Sequence, residues 1–241
     1  MRTLVIGDIH GGLRALHQIM ERAKVTKNDT LVFLGDYVDG WSQSPQVLDF
    51  IIDLQSQQNC ICIRGNHDDL LLEWLDESKD NLLWYKHGGE ATVKAYESVT
   101  YGQKQKHIEF LKSLQNYYLD EHNRLYVHAG FTNVNGAQFE YFPGQFYWDR
   151  TLWETALSLD DRMAIDHPFY PKRLSMYHEI FIGHTPVTRI GETTPVKKAN
   201  VWNVDTGAAF KGPLTILDVD TKEFWQSEPL DQLYFDEKGR N

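Results

Sequence analysis

Residues 3–11, Thr3-Leu4-Val5-Ile6-Gly7-Asp8-Ile9-His10-Gly11, read as an apolar strand that halts at a glycine and releases two metal-ligating residues into a loop. The strand is assigned to residues 2–7. Asp8 and His10 are two apart, so an extended chain turns both to the same side. Four further clusters repeat the arrangement: Gly35-Asp36-Tyr37-Val38-Asp39, Arg64-Gly65-Asn66-His67-Asp68, His128-Ala129-Gly130 and Gly183-His184-Thr185. Each follows an apolar run and therefore sits where a strand ends. A lone Gly-Asp at such a place is ordinarily a turn. Five in order, each with glycine beside the ligand, read as oxygen and nitrogen donors delivered from several strand ends to one point, which is how a two-metal hydrolytic site is built.

Outward from the first cluster, Leu13, Leu16, Ile19, Met20 and Ala23 recur at helical spacing. Residues 30–34 form the second strand. Ser44-Pro45 reads as an N-cap followed by proline at the first helical position, ahead of Val47, Leu48, Ile51, Ile52 and Leu54. Residues 60–63 form the third strand. This β-α-β-α-β order implies parallel strands with right-handed crossovers. Residues 69–116 read as a helical insertion within a single domain spanning 1–241, with helices at 70–75 and 108–114 and a break at Gly88-Gly89. Residues 117–119 and 125–127 read as a hairpin. Short strands at 180–182, 201–204 and 214–217 are expected to build a second, mainly antiparallel sheet. Residues 140–153 are crowded with aromatics but lack periodicity. They read either as a core-packing loop or as a lid positioning Arg150.

Lys and Arg number 24 against 34 Asp and Glu, a net charge of −10 that argues against a nucleic-acid surface. No apolar run is long enough to span a bilayer, and the strand at the start of the sequence leaves no room for a signal peptide, so a cytoplasmic protein is expected. Cys60 and Cys62 share one face of a strand, too close along it to pair easily, and read as buried thiols. The oligomeric state is not legible.

The clusters imply specific chemistry. Asp36 can bridge two cations with its two oxygens, and Asn66, His128 and His184 can complete the second ion's coordination. Carboxylate, amide and imidazole together suit Mn²⁺, Fe or Zn²⁺ better than Ca²⁺. Two such ions clamp a phosphate and lower the pKa of a water. His67 follows a ligand directly, so its side chain points elsewhere and is free to act as a general acid, with Asp39 fixing its tautomer. Arg64 and Arg150 are candidates to hold phosphate oxygens. The other histidines, among them His87 and His107, lack such context and are expected to be structural or solvated.

The series resembles the PPP family of metallophosphoesterases, the calcineurin-like phosphatases, whose pattern is GDxHG, GDxVDRG, GNH(E/D), HG or HAG, and GHT. The likeness spans residues 7–217. Trp148-Asp149-Arg150 and Asp205-Thr206-Gly207-Ala208-Ala209-Phe210 are similar to the bacterial and bacteriophage-lambda-type serine/threonine phosphatases. The resemblance implies an αββα sandwich of two mixed sheets flanked by helices. It implies one ion on Asp8, His10 and Asp36, and another on Asp36, Asn66, His128 and His184, with Mn²⁺ the usual activator. It gives His67 and Asp39 the acid and its orienting partner, and matches Arg64 and Arg150 to arginines near the phosphate. A phosphoprotein or small phosphoester is the implied substrate. A symmetric dinucleoside-tetraphosphate hydrolase and a catalytically weakened metal-binding scaffold are the alternatives. One position departs from the pattern: the arginine after the second Asp of GDxVDRG is here Gly40, followed by Trp41. Trp41 is read either as stacking on a flat substrate group at the pocket mouth or as packing beneath the next helix.

Overall fold

The computed structural model describes residues 1–240. Its strands are β1 (Thr3–Ile6), β2 (Thr30–Phe33), β3 (Cys60–Cys62), β4 (Tyr117–Leu119), β5 (Arg124–Val127), β6 (Glu179–Ile182), β7 (Val196–Lys198), β8 (Val201–Asn203), β9 (Thr215–Asp218) and β10 (Phe224–Gln226). They form two five-stranded sheets, in the orders β10-β9-β1-β2-β3 and β4-β5-β6-β8-β7. The main helices are α1 (Leu13–Arg22), α2 (Ser44–Gln55), α3 (Asn66–Glu77), α4 (Leu82–Trp84), α5 (Glu90–Ala95), α6 (Tyr101–Ser113), α7 (Gln145–Trp148) and α8 (Thr151–Ser158).

Period-two alternation within the strands explains the layering, because both faces of each sheet are buried. Leu4, Ile6, Leu31 and Phe33 face outward and pack with Leu16 and Ile19 of α1 and Val47, Leu48 and Ile51 of α2. Their neighbours Val5 and Val32 face inward and meet Tyr126, Phe181 and Val204 from the other sheet. Tyr126 and Phe181 stack at 5.1 Å in this middle layer. On the far side Leu125, Val127, Ile180 and Ile182 pack with Leu152, Trp153 and Ala156 of α8. The result is the expected helix–sheet–sheet–helix sandwich. Burying each such side chain is worth about 1.5–3 kcal/mol.

The second sheet differs from the expectation. β5, β6 and β8 run parallel to one another, and only β4 and β7 at the edges are antiparallel. The strand at 214–217 belongs to the first sheet instead, where β9 pairs antiparallel with β1. Alternation within a short strand reports burial and not its partner, so direction was not legible there. Three parallel strands in each sheet, β1, β2, β3 and β5, β6, β8, thus end at one edge of the sandwich. Ligands in open α/β sheets gather at such carboxyl ends.

The helical segment begins earlier than residue 69, because α3 opens at Asn66 inside the third cluster. Gly88, at φ +109°, breaks the helix between α4 and α5 as expected. His107 is buried and bonded to Tyr96 and Asp49, a structural role. Ser44 does not cap α2. Its hydroxyl accepts the backbone N–H of Asp39 instead, while Pro45 occupies the helix's first turn.

Candidate metal centre and active site

Each of the six parallel strands delivers one polar residue just past its end: Asp8, Asp36, Asn66, His128, His184 and Asp205. Donor atoms of Asp8, His10 and Asp36 lie within 4.8 Å of one another, as do those of Asp36, His128 and His184. Asp36 is common to both groups.

Hydrogen bonds to the backbone aim the imidazoles. His10 donates Nδ1–H to the Val38 carbonyl (3.1 Å), and His128 donates Nδ1–H to the Leu34 carbonyl (2.8 Å). A neutral imidazole bonded that way presents a lone pair at Nε2. The Nε2 atoms of both rings lie 3.5 Å from Asp36 Oδ2, and that of His128 lies 3.3 Å from Asn66 Oδ1. Acceptors thus face acceptors in a buried place. The donor set therefore fits cations, with the backbone carbonyls orienting the ligands from behind. His184 reaches Asn66 Oδ1 through Nδ1 (3.0 Å) and receives Arg150 Nε–H on Nε2 (3.3 Å).

The carboxylates are held as firmly. Asp8 accepts the backbone N–H of His184, and a Cβ at Gly183 would stand 2.1 Å from Asp8 Oδ1, so only glycine fits beside that oxygen. Asp36 accepts the N–H of His67 (2.9 Å) at the start of α3, where the helix dipole favours negative charge. Asp68 accepts three backbone N–H groups, from Asp36, Tyr37 and Gly65, and so ties two ligand loops together. His10, Asp36, Asp39 and His184 all adopt positive φ. For residues other than glycine this is an uncommon backbone that concentrates at functional sites.

Burial sets the protonation. It raises Asp8 well above the carboxylate range, Asp36 to about 8 and Asp205 to about 6. It lowers His128 to about 4 and holds His10 and His184 well below their ordinary value. Neutral imidazole is the form that binds a metal.

Beside the cluster, His67 donates Nδ1–H to Asp39 Oδ2 at 2.6 Å. The same oxygen accepts the indole N–H of Trp84, and Asp39's backbone N–H is shared by Ser44 and Thr92. Asp39 Oδ1 is buried without a partner among the described residues. Burial raises Asp39 to about 7 and lowers His67 well below its ordinary value. A cavity of about 290 Å³ opens over His67. Asn66, His67, Trp148, Arg150, Arg189 and Arg240 are among its lining residues.

Two expected contributors are placed elsewhere. Arg64 does not line the cavity: its guanidinium is taken by Asp69 (2.9 Å) and the Leu111 carbonyl (2.9 Å). Trp41 is fully buried, stacks on Tyr234 at 5.2 Å and donates to the Ala208 carbonyl, so it cannot meet a ligand at the cavity mouth. Phe146 is core, while Trp148 is half exposed and turns its ring toward His184 (6.3 Å).

Four contributors escaped the sequence reading. Asp205 ends β8 as Asp8 ends β1, and Asp205-Thr206-Gly207 carried that signal. His87 lines the cavity from the helical segment, and no sequence signal marks it. Arg189 and Arg240 lie outside every cluster.

The model of the calcineurin-like phosphoesterase family matches residues 1–210. The chain is 28% identical to the asymmetrical bis(5'-nucleosyl)-tetraphosphatase PrpE of Oceanobacillus iheyensis, over 93% of this chain and 91% of that protein. It is 25% identical to serine/threonine-protein phosphatase 1 of Salmonella typhimurium, over 88% of this chain and 89% of that one. In fold it resembles the cold-active protein-tyrosine phosphatase of a psychrophilic Shewanella, with a TM-score of 0.62 at 15% identity, covering 94% of this chain and 80% of the other.

Proposed function

The chain belongs to the calcineurin-like phosphoesterase family, and from that premise we propose that it hydrolyses the phosphoanhydride bonds of nucleoside polyphosphates, with dinucleoside tetraphosphates as the substrate class. The observation that carries this reading is the cavity wall. Arg150 and Arg189 stand with the half-exposed Trp148 around one opening over the proposed metal cluster. A polyphosphate joining two nucleosides presents several anionic groups to the guanidiniums and a flat base to the indole. Such stacking is worth about 1–3 kcal/mol per base. Similarity to PrpE supports the same choice.

Asp8, His10 and Asp36 would hold one divalent ion, and Asp36, Asn66, His128 and His184 the other. Bound there, the ions supply Lewis acidity and an activated water. Mn²⁺ is our choice of ion, and the same donors accept Fe or Zn²⁺. The protein's own groups do the rest. Arg150 and Arg189 orient the phosphates and offset their charge. His67 presents Nε2 to the cavity because Nδ1 is committed to Asp39. A bound anion raises the ring's proton affinity, and His67 then gives the Nε2 proton to the departing phosphate oxygen. Asp39, fixed by Trp84, Ser44 and Thr92, keeps the ring in the orientation that allows the transfer.

A second reading, hydrolysis of phosphoserine, phosphothreonine or phosphotyrosine in proteins, is favoured by the 25% identity to serine/threonine-protein phosphatase 1. The two are separated by kcat/KM of Mn²⁺-loaded protein on diadenosine tetraphosphate, phosphopeptides and p-nitrophenyl phosphate. A higher value on the dinucleotide supports the nucleotide reading. A higher value on the peptides overturns it and leaves the metal centre in place.

A further inference from the structure

Gly40 directly follows Asp39, and the space above it is filled from far along the chain. A Cβ on Gly40 would lie 3.3 Å from Arg240 Cγ, and one on Gly88 only 2.9 Å from the same atom. With φ at +101°, Gly40 also has a backbone that strains any side chain. Two glycines therefore form the floor over which the Arg240 stem runs into the cavity. There Arg240 stands with His10, His67, His184 and Asp205. Its guanidinium lies over the Phe210 ring at 5.4 Å. Its Nε is buried and has no hydrogen-bond partner among the described residues. A buried, unpartnered donor of this kind is costly unless something answers it.

The segment that delivers Arg240 is anchored on the residues directly after Gly40. Tyr234 stacks on Trp41 and donates its hydroxyl to Gln43 Oε1 at 2.6 Å. Glu237 accepts the backbone N–H (2.9 Å) and hydroxyl (2.7 Å) of Ser42. Gly239 lies against the Trp41 ring, and Arg240 N–H is bonded to the Ala209 carbonyl at 2.8 Å. Gly40 and Trp41 thus work as a pair: the glycine opens a lane and the tryptophan docks the segment that uses it.

We propose that Arg240 is a substrate-binding residue that grips a phosphate group of the substrate over the proposed metal centre, carried there by the 234–240 segment docked on residues 41–43. This rests on the phosphoesterase reading of the site. It also gives a planar, bidentate donor to oxyanions at the place where Gly40 provides none.

The test is the affinity for inorganic phosphate, measured by calorimetry on Mn²⁺-loaded wild type, Arg240→Ala and Arg240→Lys, with bound manganese and Tm recorded for each. Arg240→Ala is expected to weaken phosphate binding roughly ten- to a hundred-fold, as the loss of a charged hydrogen bond does. Bound metal and Tm should be unchanged. Arg240→Lys should recover part of the affinity, and added methylguanidine should restore binding in the alanine variant alone. Glu237→Ala, which loosens the docked segment without touching the cavity, should show a smaller loss of the same kind. Wild-type phosphate affinity in a metal-replete Arg240→Ala protein overturns the assignment of Arg240 alone. Failure of metal-replete wild type to bind phosphate overturns it together with the phosphoesterase reading.

Discussion

His67 and Asp39 are joined by a 2.6 Å hydrogen bond, with both side chains buried. The bond commits Nδ1 and leaves Nε2 for the cavity that His67 lines. His67→Asn is therefore expected to lower kcat by roughly 10²–10⁴-fold, the usual range for removing a general acid, with bound metal unchanged. Asp39→Asn should lower kcat less and also shift its pH dependence. A His67→Asn protein with wild-type kcat removes this residue from the chemistry.

Asp68 touches no ligand atom of the cluster yet binds the loops of Asp36 and Gly65 through three backbone N–H groups. Asp68→Ala leaves those donors buried and unanswered, each at a cost of about 1–3 kcal/mol. The variant should lose Tm and metal affinity together. A drop in Tm with intact metal affinity would separate the two loops' stability from their role in shaping the centre.

The pH dependence of the metal-free protein has a definite sign. Above about pH 7.5 the imidazoles are largely neutral in folded and unfolded chains alike, so the carboxylates decide. Burial raises Asp36 to about 8 and Asp39 to about 7. The folded state then holds protons that the unfolded chain has released, and its stability falls as pH rises through those values. Tm of metal-stripped protein should drop between about pH 7.5 and about pH 9. Saturating Mn²⁺ should flatten the drop, because the cation replaces the protons. A metal-free Tm that does not fall across this window contradicts the reading of the cluster as excess buried negative charge.

Trp148 is half exposed at the cavity rim, with its ring 6.3 Å from that of His184. If it stacks on a nucleobase, Trp148→Ala should raise KM for diadenosine tetraphosphate roughly five- to a hundred-fold, given about 1–3 kcal/mol per stacked base. KM for p-nitrophenyl phosphate should change little. An equal rise for both substrates would assign the indole to packing.

The strand ends that carry the site were legible in the sequence because strand and loop chemistry agree there: an apolar run, then glycine, then a ligand at four places, and a ligand followed by glycine at His128, while the two-sheet sandwich came from the family resemblance. Asp205 ends a sixth strand, with its glycine two residues on as at His128, but β8 is three residues long and its parallel pairing to β6 is a tertiary fact. For the same reason the second sheet read as mainly antiparallel. Arg64 sits in the right motif, yet Asp69 five residues on captures it, a competition that spacing alone does not reveal. Trp41 read equally as a surface stacker or as core, since its partner Tyr234 lies 193 positions away. Arg240 approaches the cluster only through that distant docking, so no local pattern pointed to it.

The most direct measurement is a Mn²⁺ titration of metal-free protein, following bound ions and diadenosine tetraphosphate turnover together. Turnover should rise until two ions are bound per chain and then level off, releasing either ATP with AMP or two ADP. Full turnover without added metal, or no nucleotide product from a chain holding two ions, would contradict the assignment of this centre to polyphosphate hydrolysis.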